Sequence, residues 1–377
     1  TQPAQRGRGR EKVRYGYYMP VRLVSGEGIV ARYDGYSKLG KRCLIISGKN
    51  LYKHSSVFAD LQKGLRNCGV DYKTFFEVEN NPSYETVKRA VSAVRDFGAD
   101  FIVGVGGGSS MDAAKATALL CANPQVTETD IFNASAFVNK PLPLLVIGTT
   151  AGTGSEVTSA SVLTFNPPDG IVKKTVKSAE SYATCALCDS TYTETLSERT
   201  TVATALDAIC HAVEAYYSKK VGSFGRMYSR KAISVIVPAL KKFTEHGSSK
   251  AVREELYIGS LYAGCAINDG GTSFAHSLGY QLTNYLGYEH GFACAALMPA
   301  FISKASDADG LAAYADMTAL ELSDFIENLF KKYIPETDIS DDDAKKFSEI
   351  GLTMPSLNNH VFEPLDINEC ERIYKGI

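Results

Sequence analysis

Apolar and polar positions divide the chain into two halves with different periodicities. In the first, short apolar runs alternate with stretches of helical spacing. The run Arg42-Cys-Leu-Ile-Ile-Ser47 ends at Gly48 and reads as a strand, followed by a helical pattern over about 56–67. Residues 70–78 read as a second strand and 83–97 as a second helix, with Ser83 as its N-cap. Asp100-Phe-Ile-Val-Gly-Val105 predicts a buried strand, a helix follows from 109 to about 121, and Leu142-Pro-Leu-Leu-Val-Ile147 predicts a further strand. Strands alternating with helices of this length are joined by crossovers, so the expectation is a parallel sheet with helices on its faces. After about residue 190 strand patterns become scarce. Residues 201–217, 224–244, 252–266 and 320–332 carry the apolar spacing of helices. The expected organisation is an arm over 1–14, a dinucleotide-binding α/β domain over 15–190 and an α-helical, metal-binding domain over 191–377, with no internal repeat.

Length agrees with this division, because 377 residues exceed the roughly 250–300 at which a single core stops growing. A formal net charge of −2 argues against a global electrostatic role on nucleic acid or anionic membranes. No apolar run reaches the roughly 18–20 residues needed to cross a bilayer, and no signal-peptide pattern opens the sequence. Nine cysteines, an odd number scattered along the chain, argue against a disulfide framework and for a reducing cytoplasm. The one close pair, Cys185-x-x-Cys188, has no partner at zinc-site spacing and reads as packing. In the arm, Arg6, Arg8, Arg10, Lys12 and Arg14 face Glu11 alone. With Gly7 and Gly9 it reads as disordered and solvated, in preference to an RNA or membrane contact.

Ligands bind such sheets at the carboxyl ends of the strands, and two glycine-rich loops fall there. The first is Gly104-Val-Gly-Gly-Gly-Ser-Ser-Met-Asp-Ala-Ala-Lys115. Gly106, Gly107 and Gly108 let the backbone approach a ligand closely, and Ser109 with Asp112 matches a capping box that starts a helix facing the loop. Such a helix start is a pyrophosphate site; a tight structural turn accounts for the same glycines. A dinucleotide fingerprint would need glycine at position 109, where this chain has serine. The second loop, Thr149-Thr-Ala-Gly-Thr-Gly-Ser-Glu156, offers donors from Thr149, Thr150, Thr153 and Ser155 to the same ligand.

Three of the chain's six histidines lie in two segments of the helical half. In Leu206-Asp-Ala-Ile-Cys-His-Ala-Val-Glu-Ala-Tyr216, Asp207 and His211 are four apart, on one face of a helix and able to chelate one ion. A buried Asp–His hydrogen bond explains that spacing equally well. His276 and His290 lie in apolar surroundings, where a lone histidine is more often a satisfied core residue. Gly287 and Gly291 bracket His290 and place it at a helix start or loop. Together the four form a three-histidine, one-carboxylate set that suits Fe(II), Zn(II), Ni(II) or Co(II).

These motifs resemble the iron-containing (group III) alcohol dehydrogenases, over about residues 18–373. Tyr18-Met-Pro20, Asn80-Asn-Pro82, Gly106-Gly-Gly-Ser-Ser-Met-Asp-Ala-Ala-Lys115, Thr149-Thr-Ala-Gly-Thr-Gly-Ser-Glu-Val-Thr158, the Asp207 helix and Glu289-His-Gly291 all fall in family order. The resemblance implies a dinucleotide domain, a helical domain and a metal in the cleft between them, held by Asp207, His211, His276 and His290. It implies Fe(II) first, with Zn(II) as the alternative, and a homodimer. The implied reaction passes a hydride between a small alcohol's carbinol carbon and the nicotinamide while the ion polarises the oxygen.

Two departures matter. Many members carry a further histidine four residues after the third ligand; here that position is Tyr280, whose phenol can at most donate to or orient a water. Members that prefer NAD usually end their first strand with an aspartate; this chain has Gly48, Lys49 and Asn50. Without that carboxylate a 2′-phosphate is not repelled, and Lys49 or Lys53 can pair with it, so NADP(H) is expected over NAD(H). The rival readings are a sugar-phosphate cyclase of the dehydroquinate synthase type, a glycerol dehydrogenase-like zinc enzyme, and a structural or RNA-binding protein on an inactive enzyme fold. The three-histidine set favours the dehydrogenase. Linear alcohols, diols, lactaldehyde-type compounds and phosphonate-bearing aldehydes all stay open as substrates.

Overall fold

The computed structural model describes residues 16–51, 56–165, 172–337 and 339–377, so the expected basic arm and Lys53 lie outside the described residues. Six parallel strands form the frame: β1 (Arg22–Ser25), β2 (Arg42–Gly48), β3 (Asp71–Val78), β4 (Phe101–Gly106), β5 (Leu144–Gly148) and, after a separate ribbon, β8 (Cys185–Cys188). Their spatial order is β1-β8-β5-β4-β2-β3. The ribbon pairs β6 (Ala160–Phe165) with β7 (Val172–Lys177) in antiparallel register.

The inner strands β2, β4, β5 and β8 are apolar almost throughout because both faces of the sheet are covered there, whereas the edge strands β1 and β3 are largely exposed. Ile45, Val103, Leu145 and Cys185 stand side by side in register across four strands. They pack into one cluster with Val30, Tyr36 and Leu61, from the helices α1 (Ile29–Arg32), α2 (Tyr36–Leu39) and α3 (Val57–Asn67). Their strand neighbours Leu44, Ile102 and Leu144 point the other way, into a second cluster. There α4 (Tyr84–Phe97) and α5 (Gly108–Ala122) cover the sheet with Val87, Val91 and Met111. The Ser83 hydroxyl caps α4, accepting the Thr86 N–H at 3.2 Å.

Strand order locates the ligand crevice. From β2 the chain moves outward to β3, then returns to place β4 on the other side of β2. At such a reversal the loops leaving adjacent strands run to opposite faces and open a crevice at their carboxyl ends. The crevice lies between Gly48 and Gly106.

β8 ends at Cys188, and every longer element beyond it among the described residues is helical. These are α6 (Glu198–Tyr216), α7 (Ser223–His246), α8 (Lys250–Gly270), α9 (Phe274–Leu286), α10 (His290–Ala295), α11 (Met298–Lys304), α12 (Ala308–Ala312), α13 (Ala319–Tyr333), α14 (Asp341–Leu352) and α15 (Ile367–Lys375). The second cluster continues from Ile46 and Val146 on the sheet to Leu206, Phe274 and Phe292 on these helices, so both halves share one core. α6, α8 and α13 begin before their apolar spacing does, because the Ser197, Ser249 and Thr318 hydroxyls each cap the first turn. No helix among the described residues is long and apolar enough to cross a membrane.

Candidate active site

The glycine-rich loop leaves β4 at Gly106, whose φ of +137° is rarely open to other residues; a Cβ there would lie 2.6 Å from Ser110 Oγ. The expected capping box is absent. Helix α5 starts at Gly108 with Gly107 as its N-cap, and no side chain caps it. Ser109 Oγ accepts the Asn81 N–H at 3.1 Å instead, tying the loop after β3 to the crevice. The Asp112 carboxylate accepts from Ser155 Oγ at 2.7 Å and from the Val162 N–H at 2.9 Å. Tertiary partners thus outcompeted the local motif. Freed of a side-chain cap, the first turn of α5 turns its N–H groups and the positive end of its dipole to the crevice.

The second loop is braced against the first. The Thr149 N–H donates to the Gly106 carbonyl at 3.0 Å, and the Thr150 and Thr153 side chains lie against Gly107 and Gly108. Beneath them Lys115 is buried, its Nζ donating to Ser155 Oγ at 2.7 Å, Thr158 Oγ1 at 3.3 Å and the Ala160 carbonyl at 3.1 Å. Burial pushes the Lys115 ammonium down to about 8, against the attraction of Asp112 and Glu156. Asp112 and Ser155, expected to touch the cofactor, are therefore occupied in holding the two loops together. Gly48 closes β2, and Lys49 and Asn50 beside it are exposed.

Below the crevice the three expected imidazoles each lie within 4 Å of the Asp207 carboxylate. The donor atoms that all stand within 4.8 Å of one another are those of Asp207, His276, His290 and Cys294, without His211. Asp207 and His211 project from one face of α6, with His211 Nε2 3.7 Å from Asp207 Oδ1. From α9, His276 Nε2 lies 3.4 Å from the same oxygen, and from the first residue of α10, His290 Nε2 lies 3.9 Å away. The approach of α10 to α6 depends on Gly291, where a Cβ would sit 1.8 Å from the Ala203 carbonyl oxygen. Two donors bonded to one ion at about 2.0–2.2 Å and a tetrahedral angle are about 3.4 Å apart, close to these separations.

Asp207 Oδ1, His211 Nδ1 and His276 Nε2 are buried without hydrogen-bond partners among the described residues. Leaving such atoms unsatisfied costs about 1–3 kcal/mol each. A divalent cation would satisfy Asp207 Oδ1 and His276 Nε2 together, so the donor set fits the implied metal. Burial alone would raise the Asp207 carboxyl, but the imidazoles of His211, His290 and His276 outweigh it and hold it below its ordinary range. Burial, only partly offset by Asp207, pushes His290 down to about 3, which keeps its ring neutral and its lone pair free.

Three further residues complete the site, none of them assigned a role by the sequence analysis. Glu214, fully buried and one turn beyond His211, accepts the Ser273 N–H at 3.0 Å and the His276 N–H at 3.2 Å on Oε1, and meets His276 Nδ1 with Oε2. Cys294, one turn beyond His290, brings its thiol among the donor atoms. Lys173, on β7, is 6% exposed and holds its ammonium 5.1 Å from the Tyr280 ring centroid. Burial pushes this ammonium down to about 8. The Tyr280 ring stacks on His290 with centroids 5.4 Å apart, and burial pushes its phenol up to about 12. The spacing of Glu214 (seven residues after Asp207) and of Cys294 (four after His290) was visible in the sequence; the placement of Lys173 required the ribbon.

Comparison with known proteins gives a consistent result. Residues 20–190 match the family described as iron-containing alcohol dehydrogenase, and residues 201–371 match its C-terminal family. The long-chain-alcohol dehydrogenase 1 of Geobacillus thermodenitrificans is 34% identical over 69% of this chain, which spans 65% of that relative's length. The NADPH-dependent butanol dehydrogenase of Clostridium saccharobutylicum is 30% identical over 84% of this chain and 82% of its own. Among solved structures, an iron-containing alcohol dehydrogenase from Thermotoga maritima superposes with a TM-score of 0.85 at 32% identity, covering 96% of this chain and 98% of the other.

Proposed function

Because the chain belongs to the iron-containing alcohol dehydrogenase family, we propose that it interconverts a small primary alcohol and its aldehyde at a metal centre formed by Asp207, His211, His276 and His290. The observation that carries this reading is the convergence of three imidazoles on one carboxylate oxygen, at 3.4–3.9 Å, with two of the atoms buried and unpartnered. A divalent ion bound there supplies Lewis acidity toward the substrate oxygen, and a nicotinamide dinucleotide supplies the hydride carrier. The uncapped first turn of α5, with Gly106, Gly107 and Gly108, is the assigned seat of the pyrophosphate.

The remaining residues prepare the centre. Glu214 accepts a proton-bearing Nδ1 of His276 and so turns the Nε2 lone pair inward. Tyr280 fixes the plane of His290 by stacking and, holding its proton to about pH 12, acts only as a donor or a water-orienting group. Lys173 adds positive charge beside it. NADP(H) is the cofactor this reading favours, because β2 ends in Gly48-Lys49-Asn50 with an exposed lysine and no carboxylate.

Elemental analysis of the purified protein, combined with a panel of aldehydes and NADPH, tests the activity. Retention of both metal and activity by His276→Ala or His290→Ala would overturn the ligand assignment. A tenfold preference for NADH in kcat/KM, on the order that a lost ribose-phosphate contact is worth, would overturn the cofactor assignment.

A further inference from the structure

Two helices of the site each present a pair of donors one turn apart: Asp207 and His211 on α6, His290 and Cys294 on α10. The two pairs face each other across the Gly291 crossing, and His276 closes the ring from α9. Cys294 is fully buried, with Sγ 3.8 Å from His290 Nε2 and 3.9 Å from His290 Nδ1. The candidate donor atoms of Asp207, His276, His290 and Cys294 all lie within 4.8 Å of one another. Asp207 Oδ1 and His276 Nε2, in the same cluster, are the buried and unpartnered atoms that call for a ligand.

We propose that Cys294 is a fifth donor to the metal, binding it as a thiolate beside the three imidazoles and the carboxylate. This rests on the metal-centre reading given above. At a five-donor ion with an angle near 120°, a histidine nitrogen at about 2.1 Å and a cysteine sulfur at about 2.3 Å stand about 3.8 Å apart. The 3.8 Å between His290 Nε2 and Cys294 Sγ is close to that separation. On binding, the S–H bond is replaced by a sulfur–metal bond, the proton leaves to solvent, and no electron changes hands. The thiolate makes the centre softer than three nitrogens and one oxygen would, favouring Fe(II), Co(II), Zn(II) or Cd(II) over Mn(II). Cys210 provides an internal control. It too is buried on α6, one residue before His211, so it tests whether a buried thiol close to the ligands is enough to give the signal.

The test uses the full chain, stripped of metal with a chelator and titrated anaerobically with Co(II). The wild type is expected to develop a near-ultraviolet thiolate-to-cobalt charge-transfer band that saturates at one ion per chain. Cys294→Ser should bind Co(II) without the band, and Cys210→Ala should keep it. A wild-type spectrum with only nitrogen- and oxygen-donor features, or a band that survives in Cys294→Ser, would overturn the proposal while leaving the metal centre intact. Failure of Co(II) to bind at all would overturn both. A second readout covers a serine variant that folds poorly: Cys294→Ala should weaken Cd(II) binding at least about tenfold but Mn(II) binding less than about threefold. Equal losses for the two ions would count against a thiolate donor.

Discussion

Replacing Glu214 with glutamine tests the proposed metal centre through a residue outside its proposed ligand set. The Glu214 carboxylate only accepts hydrogen bonds, and its three partners are the N–H groups of Ser273 and His276 and the His276 Nδ1. It therefore holds a hydrogen on Nδ1, so that Nε2, 3.4 Å from Asp207 Oδ1, is the nitrogen a metal would meet, displacing any proton there. Glutamine has the same shape but only one acceptor oxygen. If that oxygen keeps the two backbone bonds, its NH₂ faces Nδ1, and His276 must move its hydrogen to Nε2 to avoid two opposed donors. Nε2 is then closed to a metal. In the other orientation, two buried backbone N–H groups confront the NH₂. One lost charge-assisted bond is worth about 1.5–3 kcal/mol, and loss of such an orienting partner weakens metal binding roughly 10–100-fold. Glu214→Asp keeps the acceptor chemistry and should lose less. Chelator competition with Zn(II) or Co(II) on the metal-free proteins measures the affinity, and thermal melts of the same samples measure stability. The variant with its hydrogen on Nε2 can still donate to Asp207, so its metal-free stability should fall less than its affinity. Glu214→Gln binding metal within about threefold of wild type would refute the tautomer argument.

Other positions make independent demands. Gly291→Ala places a methyl 1.8 Å from the Ala203 carbonyl oxygen, so α10 must shift; a stability loss of about 1–3 kcal/mol in urea unfolding, with loss of bound metal, is expected, and an unchanged protein would refute the close-approach reading. Asp112→Ala leaves the buried Lys115 ammonium without its carboxylate at 3.8 Å and frees Ser155 and Val162; about 3 kcal/mol of stability and much of the cofactor affinity should go, read by unfolding and by KM for NADPH. Burial lowers Lys173 from 10.5 to about 8, so between those values the unfolded chain binds a proton that the folded chain does not, and stability rises with pH across that window. Below about pH 8 the full cost applies, about 3 kcal/mol, so Lys173→Met should be more stable than wild type at pH 7, with the advantage gone by about pH 10.5; parallel pH profiles would refute this.

The parallel sheet was legible because its strands are buried on both faces, so Cys43 to Ile46 and Phe101 to Val105 are uninterrupted apolar runs. β1 was not, since it is an edge strand whose four residues are mostly exposed. β8 was hidden by its brevity, and its cysteines drew attention as a motif. They are three apart in a strand and so enter opposite clusters, Cys185 with Ile45 and Cys188 with Ile46. The capping box failed for a related reason: Ser109 and Asp112 have the right local spacing, but Asn81, Ser155 and Val162 reach them from other elements. On α6, by contrast, Asp207, His211 and Glu214 follow helical spacing, and reading one residue further along the same face would have found the carboxylate. His276 could not be joined to Asp207 by any local pattern, because α7, α8 and the turn into α9 stand between them.

Satisfaction of buried charge separates the residues that brace this protein from those proposed to act on a ligand. Lys115 and Lys173 are both buried lysines, and burial lowers both ammonium groups to about 8. Lys115, however, has three oxygen acceptors and a carboxylate at 3.8 Å, so the protein itself balances it. Lys173 meets no carboxylate or carbonyl acceptor among the described residues, only the face of Tyr280. The same contrast holds for the acids. Glu214 carries hydrogen bonds on both oxygens, whereas Asp207 Oδ1 has none although it is equally removed from water. A buried charge left incomplete costs stability, and Asp207 and Lys173 lie against the stacked pair of His290 and Tyr280. The stability these residues forgo is localised where a cation, a substrate oxygen and a cofactor would restore it.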